Sequence, residues 1–291
     1  MRKKLPSILY ASGGVFILGL AHLAMAQTLP PTYIPGTKFS TGQDIVPTFD
    51  GWIRNPDGAF TMVFGYMNRN YKEELAVPAG SDNKVEPGLP DRGQPTYFLP
   101  RRHAWVFQVQ VPKDWGDREL IWTITSHGRT EKAFGKLTLE EEILPRLIMT
   151  RGNLNPGLDD PNKPPSISIA PIDTATVGSP VTLTALVTDD GLPKPRVPKA
   201  RPVAEPGKAQ TNAAVTRPRA GLSVSWYEYR GPAKAAFDSE DPIRVGTPGE
   251  PIIDGKAVTT VRFSQPGTYV LRATANDGEL SISTDTTITV K

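Results

Sequence analysis

Phe60-Thr-Met-Val-Phe-Gly-Tyr66 places large apolar side chains at every second position, with Thr61, Val63 and Gly65 between them. Successive side chains of an extended strand point to opposite faces, so this spacing predicts a strand with Phe60, Met62, Phe64 and Tyr66 on one side. The turn signal Asn55-Pro56-Asp57-Gly58 stands just before it, and Val46 to Arg54 reads as the strand on the other arm of that turn. Working outward, strands are expected at 59–70, 73–78, 96–99, 103–111, 119–126 and 130–137. Trp105, Phe107, Val109 and Val111 alternate in one of them, and Leu120, Trp122 and Ile124 in another. Seven short strands in about 95 residues predict a β-sandwich over residues 44–149. Trp52, Trp105 and Trp122 read as core, residues 79–95 as a long polar loop, and Glu140 to Leu144 as a helical turn ended by Pro145.

Residues 150–165 (TRGNLNPGLDDPNKPP) read as a linker. Beyond it, strands are expected from Ser166, at 181–188, 222–229, 257–263, 268–276 and 281–290, with one irregular strand between Gly231 and Gly255. Residues 191–220 interrupt this order. They carry Lys194, Arg196, Lys199, Arg201, Lys208, Arg217 and Arg219 against Glu205 and few apolar anchors, so a disordered basic insert is expected there. Three runs carry a resemblance: Leu183 to Pro193 with its Asp189-Asp190-Gly191, Gly221-Leu-Ser-Val-Ser-Trp226, and Phe263 to Leu280 with Pro266-Gly267-Thr-Tyr269 and Asn276-Asp277-Gly278-Glu279.

Together they resemble the PKD/REJ-like immunoglobulin modules of bacterial exported proteins, over residues 166–291. The resemblance implies a second sandwich with Trp226 in its core. Tyr269 would be a tyrosine corner whose hydroxyl bonds back to the backbone, and Leu183 and Leu271 would stand where antibody domains place a disulfide. The expected fold is thus all-β, two immunoglobulin-like β-sandwich domains in tandem. Gly51 to Gly58 and Pro90 to Pro95 in the first half are similar to segments of uncharacterised exported bacterial proteins, which implies no activity.

The amino terminus sets the compartment. Arg2-Lys3-Lys4, an apolar run from Ile8 to Leu23 and Ala24-Met25-Ala26 follow the order of a cleavable signal peptide, predicted over residues 1–26. Ser12, Gly13, Gly14 and His22 break the run, which falls short of the ~20 apolar residues of a spanning helix. Residues 27–43 read as an extended leader. An exported protein, periplasmic or at the cell surface, is expected. Without the three signal charges the net +3 becomes neutral, which argues against nucleic acid as a partner. Cysteine is absent, so stability must come from packed cores.

Chemistry is sparse. The chain beyond residue 26 has two histidines, His103 and His127, with no nucleophile signature beside either, and no His-Glu-x-x-His. A non-enzymatic exported interaction or structural protein is the expected function, with an envelope protein or polysaccharide as partner. Carbohydrate binding by the aromatics of the first half is the alternative, with Trp115 in its Pro112-to-Asp117 loop as the ring to test; a hydrolase with paired carboxylates scattered in the sequence is a third. No cofactor is expected unless it is calcium. Asp189, Asp190, Asn276, Asp277 and Glu279 lie in two loops that this topology clusters at one end, where they would offer oxygen ligands, although the same residues are ordinary turn chemistry. Arg92, Arg101 and Arg102 form a candidate group for an anion or a partner carboxylate.

Overall fold

The alternation of residues 60–66 becomes β2 (Phe60–Asn68), where Met62, Phe64 and Tyr66 are sealed at 2% exposure or less. The structure, a computed structural model, describes residues 38–152, 161–172, 174–195 and 221–291. The predicted signal peptide, residues 27–37 of the leader, part of the linker and most of the basic insert lie outside the described residues.

β2 is the centre of an antiparallel sheet between β1 (Ile45–Arg54) and β6 (Arg101–Val111). A second sheet orders β4 (Asn83–Glu86), β7 (Leu120–Ser126) and β8 (Arg129–Gly135), and a two-residue pair joins β3 (Leu75–Ala76) to β5 (Tyr97–Phe98). Their inward side chains meet in one hydrophobic cluster. The Trp122 ring is its hub, edge-on to Phe64 and Phe107 and stacked on Phe98. Gly135 allows this packing, because a Cβ there would press on the Phe49 and Phe64 rings.

β4 lies inside the stretch expected to be a polar loop. Its signal is hidden because buried amides replace apolar side chains. Asn83 donates to the Val77 and Pro95 carbonyls and accepts from Trp122 Nε1, while Gln94 donates to the Asn83 and Pro90 carbonyls. Pro145 also differs from expectation, since it starts the helix α1 (Pro145–Met149) and ends none. A first helical residue needs no amide hydrogen, so proline fits there.

The second half is also mostly antiparallel β-sheet. One sheet orders β12 (Ala235–Phe237), β14 (Ile252–Phe263), β10 (Val181–Asp189) and β9 (Ser166–Ile169). The other orders β13 (Ile243–Arg244), β11 (Ser223–Arg230), β15 (Gly267–Asn276) and β16 (Ser281–Val290). A second hydrophobic cluster draws Leu183, Val187, Ala257 and Phe263 from one sheet and Val224, Trp226, Leu271 and Ile288 from the other. Tyr269, fully buried and tilted against Phe263, donates its hydroxyl to the Gln265 carbonyl four residues upstream. Among the described residues no helix is long and apolar enough to cross a membrane.

Phe39–Lys291 forms one compact unit, and directed polar contacts join its two halves. Thr96 donates its N–H to the Tyr229 carbonyl, Tyr229 donates its hydroxyl to Gly93, and Gly231 donates to Thr96 Oγ1. Arg230 pairs with Asp91 at 2.7 Å and Lys234 with Glu74 at 3.0 Å. Beneath this junction Glu228 is 3% exposed; its Oε2 accepts the Ala235 N–H, and its Oε1 has no hydrogen-bond partner. Burial, reinforced by the Glu74 charge, pushes the Glu228 carboxyl from 4.5 up to about 7, although Lys234 and the Ala235 N–H oppose it.

The folded chain therefore keeps a proton that the unfolded chain releases between pH 4.5 and about 7. This group's stabilisation is complete below pH 4.5 and lost as pH rises through about 7. Glu228→Gln should leave stability little changed near pH 4.5 and raise it at pH 8 by on the order of 3 kcal/mol, read from urea unfolding across that range. A difference between variant and wild type that stays flat with pH would show that Glu228 ionises freely in the fold.

Candidate functional site

Two strand irregularities define the site. On β1, Phe49 pairs with Phe64 and Gly51 with Val63, so Asp50 is an extra residue; on β6, Phe107 pairs with Phe64 but His103 with Tyr66, so Ala104, Trp105 and Val106 oppose Gly65 alone. The β6 bulge lies opposite Gly65 and the β1 bulge one rung away, and the missing Cβ leaves the room between them. A Cβ there would collide with the Asp50 carboxylate, the Arg102 guanidinium and the His103 carbonyl. The Asp50 side chain, 5% exposed, ties the two together. Its Oδ1 accepts from Thr48 Oγ1 at 2.8 Å and Arg102 Nη2 at 2.6 Å, and its Oδ2 accepts the Trp105 N–H at 2.7 Å. Trp105 is thereby held at φ 55°, a left-handed conformation that a bulky residue adopts only when its surroundings impose it.

The bulge carries Trp105 out of the alternation that buries Phe107, Val109 and Val111. Its indole is half-buried and rests against Gly152. There it lines a cleft of about 810 Å³ between the two halves of the compact unit, within the size range of ligand pockets. Along one side of the cleft run Trp105 to Gln108 of β6, with Ile148 and Met149 of α1. Along the other run Ser281 to Asp285 of β16.

A third bulge places Tyr229 in the same wall, because Glu228 pairs with Leu271 and Arg230 with Val270, leaving Tyr229 extra. Arg272 covers the Tyr229 ring at 3.9 Å, grips Asp285 through two bonds of 2.6 and 2.8 Å, and donates to the Val106 carbonyl at 2.7 Å. One guanidinium thus stacks, pairs and crosses the cleft to β6 at once. Asp285 is the one carboxylate among the described residues lining the cleft, and this pairing occupies it.

Trp52 and Trp122 lie in the core as expected, while Trp115 and Trp105 stand elsewhere than expected. Trp115 is 6% exposed in the first hydrophobic cluster, with Nε1 bonded to the Arg118 carbonyl and the Arg118 guanidinium over its ring, so it presents no open face. Trp105, expected in the core, stands outside it because of the bulge. The arginine group does not act as one cluster. Arg102 pairs with Asp50, Arg101 lies over Tyr71 and donates to the Arg69 carbonyl, and Arg92 lines the cleft and donates to the Pro87 carbonyl.

Asp189 and Asp277 do approach each other, close enough that their charges interact. Burial, then the neighbouring Asp277 and Asp190 charges, pushes the Asp189 carboxyl up to about 6, and burial raises Asp277. One oxygen of each serves the backbone, while Asp189 Oδ1 is buried without a hydrogen-bond partner. Asp189 accepts from Gly191, Asp190 from Leu192 and Lys163, Asn276 from Gly278, and Asp277 from Glu279 and Leu280. Among the described residues no group of three or more His, Cys, Asp or Glu side chains is arranged to hold a metal ion. Neither histidine reaches the cleft: His103 stacks on Tyr66, and His127 meets Glu73.

Asp50, Gly65, Tyr229 and Arg272 are the site residues that sequence reasoning missed. The available signal was an acidic residue in one strand, a glycine amid large residues in the next and Arg101-Arg102 opening a third. No protein family matches the chain, and no curated protein is similar to it in sequence.

Asp50→Ala should remove about 2 kcal/mol of stability, since a charged acceptor of three hydrogen bonds is lost from a nearly buried position. It should also free Trp105, seen as stronger acrylamide quenching that is absent in Asp50→Ala combined with Trp105→Phe. Gly65→Ala should give the same pair of changes. Unchanged quenching in both variants would mean that the bulge holds without Asp50.

Proposed function

We propose that the chain is an exported, non-enzymatic interaction protein of the cell envelope or surface that receives its partner in the cleft between its halves. The observation that carries this reading is Trp105, a large aromatic ring held out of the core in a strained backbone by a dedicated carboxylate. Bulges of this kind re-aim side chains beside functional sites. The cleft chemistry supports binding over reaction, with neutral Asn55, Thr61, Gln108, Ser281 and Ser283 around apolar Ile148 and Ile282, and its carboxylate already paired. The proposal includes two immunoglobulin-like sandwiches in tandem, the second of the PKD/REJ-like kind, with the signal peptide delivering them. The Tyr269 to Gln265 bond and the buried Trp226 support that assignment. Carbohydrate binding stays as a second reading because the half-open Trp105 ring suits a sugar face.

A photo-crosslinking residue at Ile282, which lines the cleft, should trap a partner in intact cells, and Trp105→Ala should reduce that adduct at least tenfold. The same residue at Phe134, 53% exposed and away from the cleft, should trap none. Recovery of uncrosslinked monomer alone from the Ile282 position would overturn the reading.

A further inference from the structure

The free edge of β16 is unevenly covered. β16 ends its sheet, so one side of it faces no neighbour in the strand order. Near its carboxyl end the chain covers that edge itself. Ala175 forms a parallel bridge with Val290, Val177 donates to the Lys291 carbonyl, and Lys291 donates to the Ala175 carbonyl. Near its amino end the described residues provide no comparable backbone cover, and the contact there is a side-chain one, with Ser281 donating its hydroxyl to the Met149 carbonyl. Among the described residues, no backbone hydrogen bond outside the β15 ladder is made by Ser281 to Asp285, and these residues line the cleft as a continuous run. A strand that presents a face contributes alternate residues to a cavity, whereas a strand that presents its edge contributes consecutive ones. The cleft therefore takes in the edge of β16 over five residues, about 16 Å, together with the sheet face that carries Arg272 and Asp285.

Bare edges invite pairing by another chain, and folds usually blunt them with charge, proline or a covering segment. Here the covering segment stops short, and the bare part lies inside a walled cleft. The one charged side chain in this run, Asp285, is held by Arg272.

Resting on the reading that the cleft is the binding site, we propose that its ligand is an extended polypeptide segment of a partner protein, which adds a strand to β16 along Ser281–Asp285. Backbone amides and carbonyls of the incoming segment pair with the free edge, as in other strand-addition complexes. Its apolar side chains, at every second position, lie against Trp105, Ile148 and Met149. Arg92, which lines the same cleft, meets an acidic side chain or terminal carboxylate. A saccharide has no repeating amide to match a strand edge, which favours the peptide.

The test pans a random 12-residue peptide display library against the chain purified after export. Enriched sequences are synthesised and measured against wild type and Trp105→Ala. The proposal expects apolar residues at every second position and binding weakened at least tenfold by N-methylating alternate amides in one register and not the other. It also expects slower hydrogen exchange at residues 281–285 of the unmodified protein, a readout independent of any variant's folding. Peptides indifferent to N-methylation in both registers, no slowing at 281–285, or no enrichment would each overturn it. Binding of an oligosaccharide panel that Trp105→Ala abolishes would overturn the peptide while leaving the cleft as the binding site. Peptide binding that is sensitive to methylation but untouched by both readouts at the cleft would overturn both.

Discussion

The Asp50 carboxylate lying over Gly65 is the constraint on which the site depends. Three donors converge on it from β1 and β6, and the space it occupies exists only because β2 has a glycine between Phe64 and Tyr66. A carboxylate this buried is tolerated because its oxygens are satisfied and a guanidinium stands beside it. Its geometry turns a regular three-stranded sheet into one whose edge strand bulges, and the bulge delivers Trp105 to the far side from the core. Local order and the geometry of the cleft are therefore one arrangement.

The junction between the halves follows similar logic. Tyr229 is displaced by its own bulge, Arg272 lies across its ring, and the Arg272 donors reach both Asp285 and the Val106 carbonyl. Interfaces within a chain are usually more polar than cores, and this one relies on directed bonds: Tyr229 to Gly93, Arg230 to Asp91, Lys234 to Glu74. Such bonds fix the orientation of the two cleft walls more strongly than apolar contact alone, because each has a required distance and angle.

Period-two alternation made the long strands legible. Residues 60–66 and 120–124 read directly as buried faces, and β16 was anticipated at its observed bounds. β4 was not, because Val85 is its one apolar inward residue and the other, Asn83, is polar, with partners from the Val77 and Pro95 backbone and from Trp122. The cleft was illegible for a related reason. Trp105, Phe107, Val109 and Val111 keep an unbroken spacing of two in the sequence, and nothing local says that the register breaks beside Trp105. The break is caused by Asp50, more than fifty positions earlier. Trp115 misled in the opposite direction: a loop tryptophan flanked by Asp and Gly reads as exposed, yet Arg118 folds over it and seals it into the core.

The pairing of Ala175 and Val177 with the end of β16 has a mechanical consequence. The two segments run parallel, so tension drawn between the chain before residue 175 and the chain at Lys291 acts along the strands in opposite senses. The bonds joining them are then sheared together and share the load, where a hairpin pulled from its open end would release its bonds one at a time. Force applied between the chain before residue 175 and Lys291 would therefore meet its resistance at this seam.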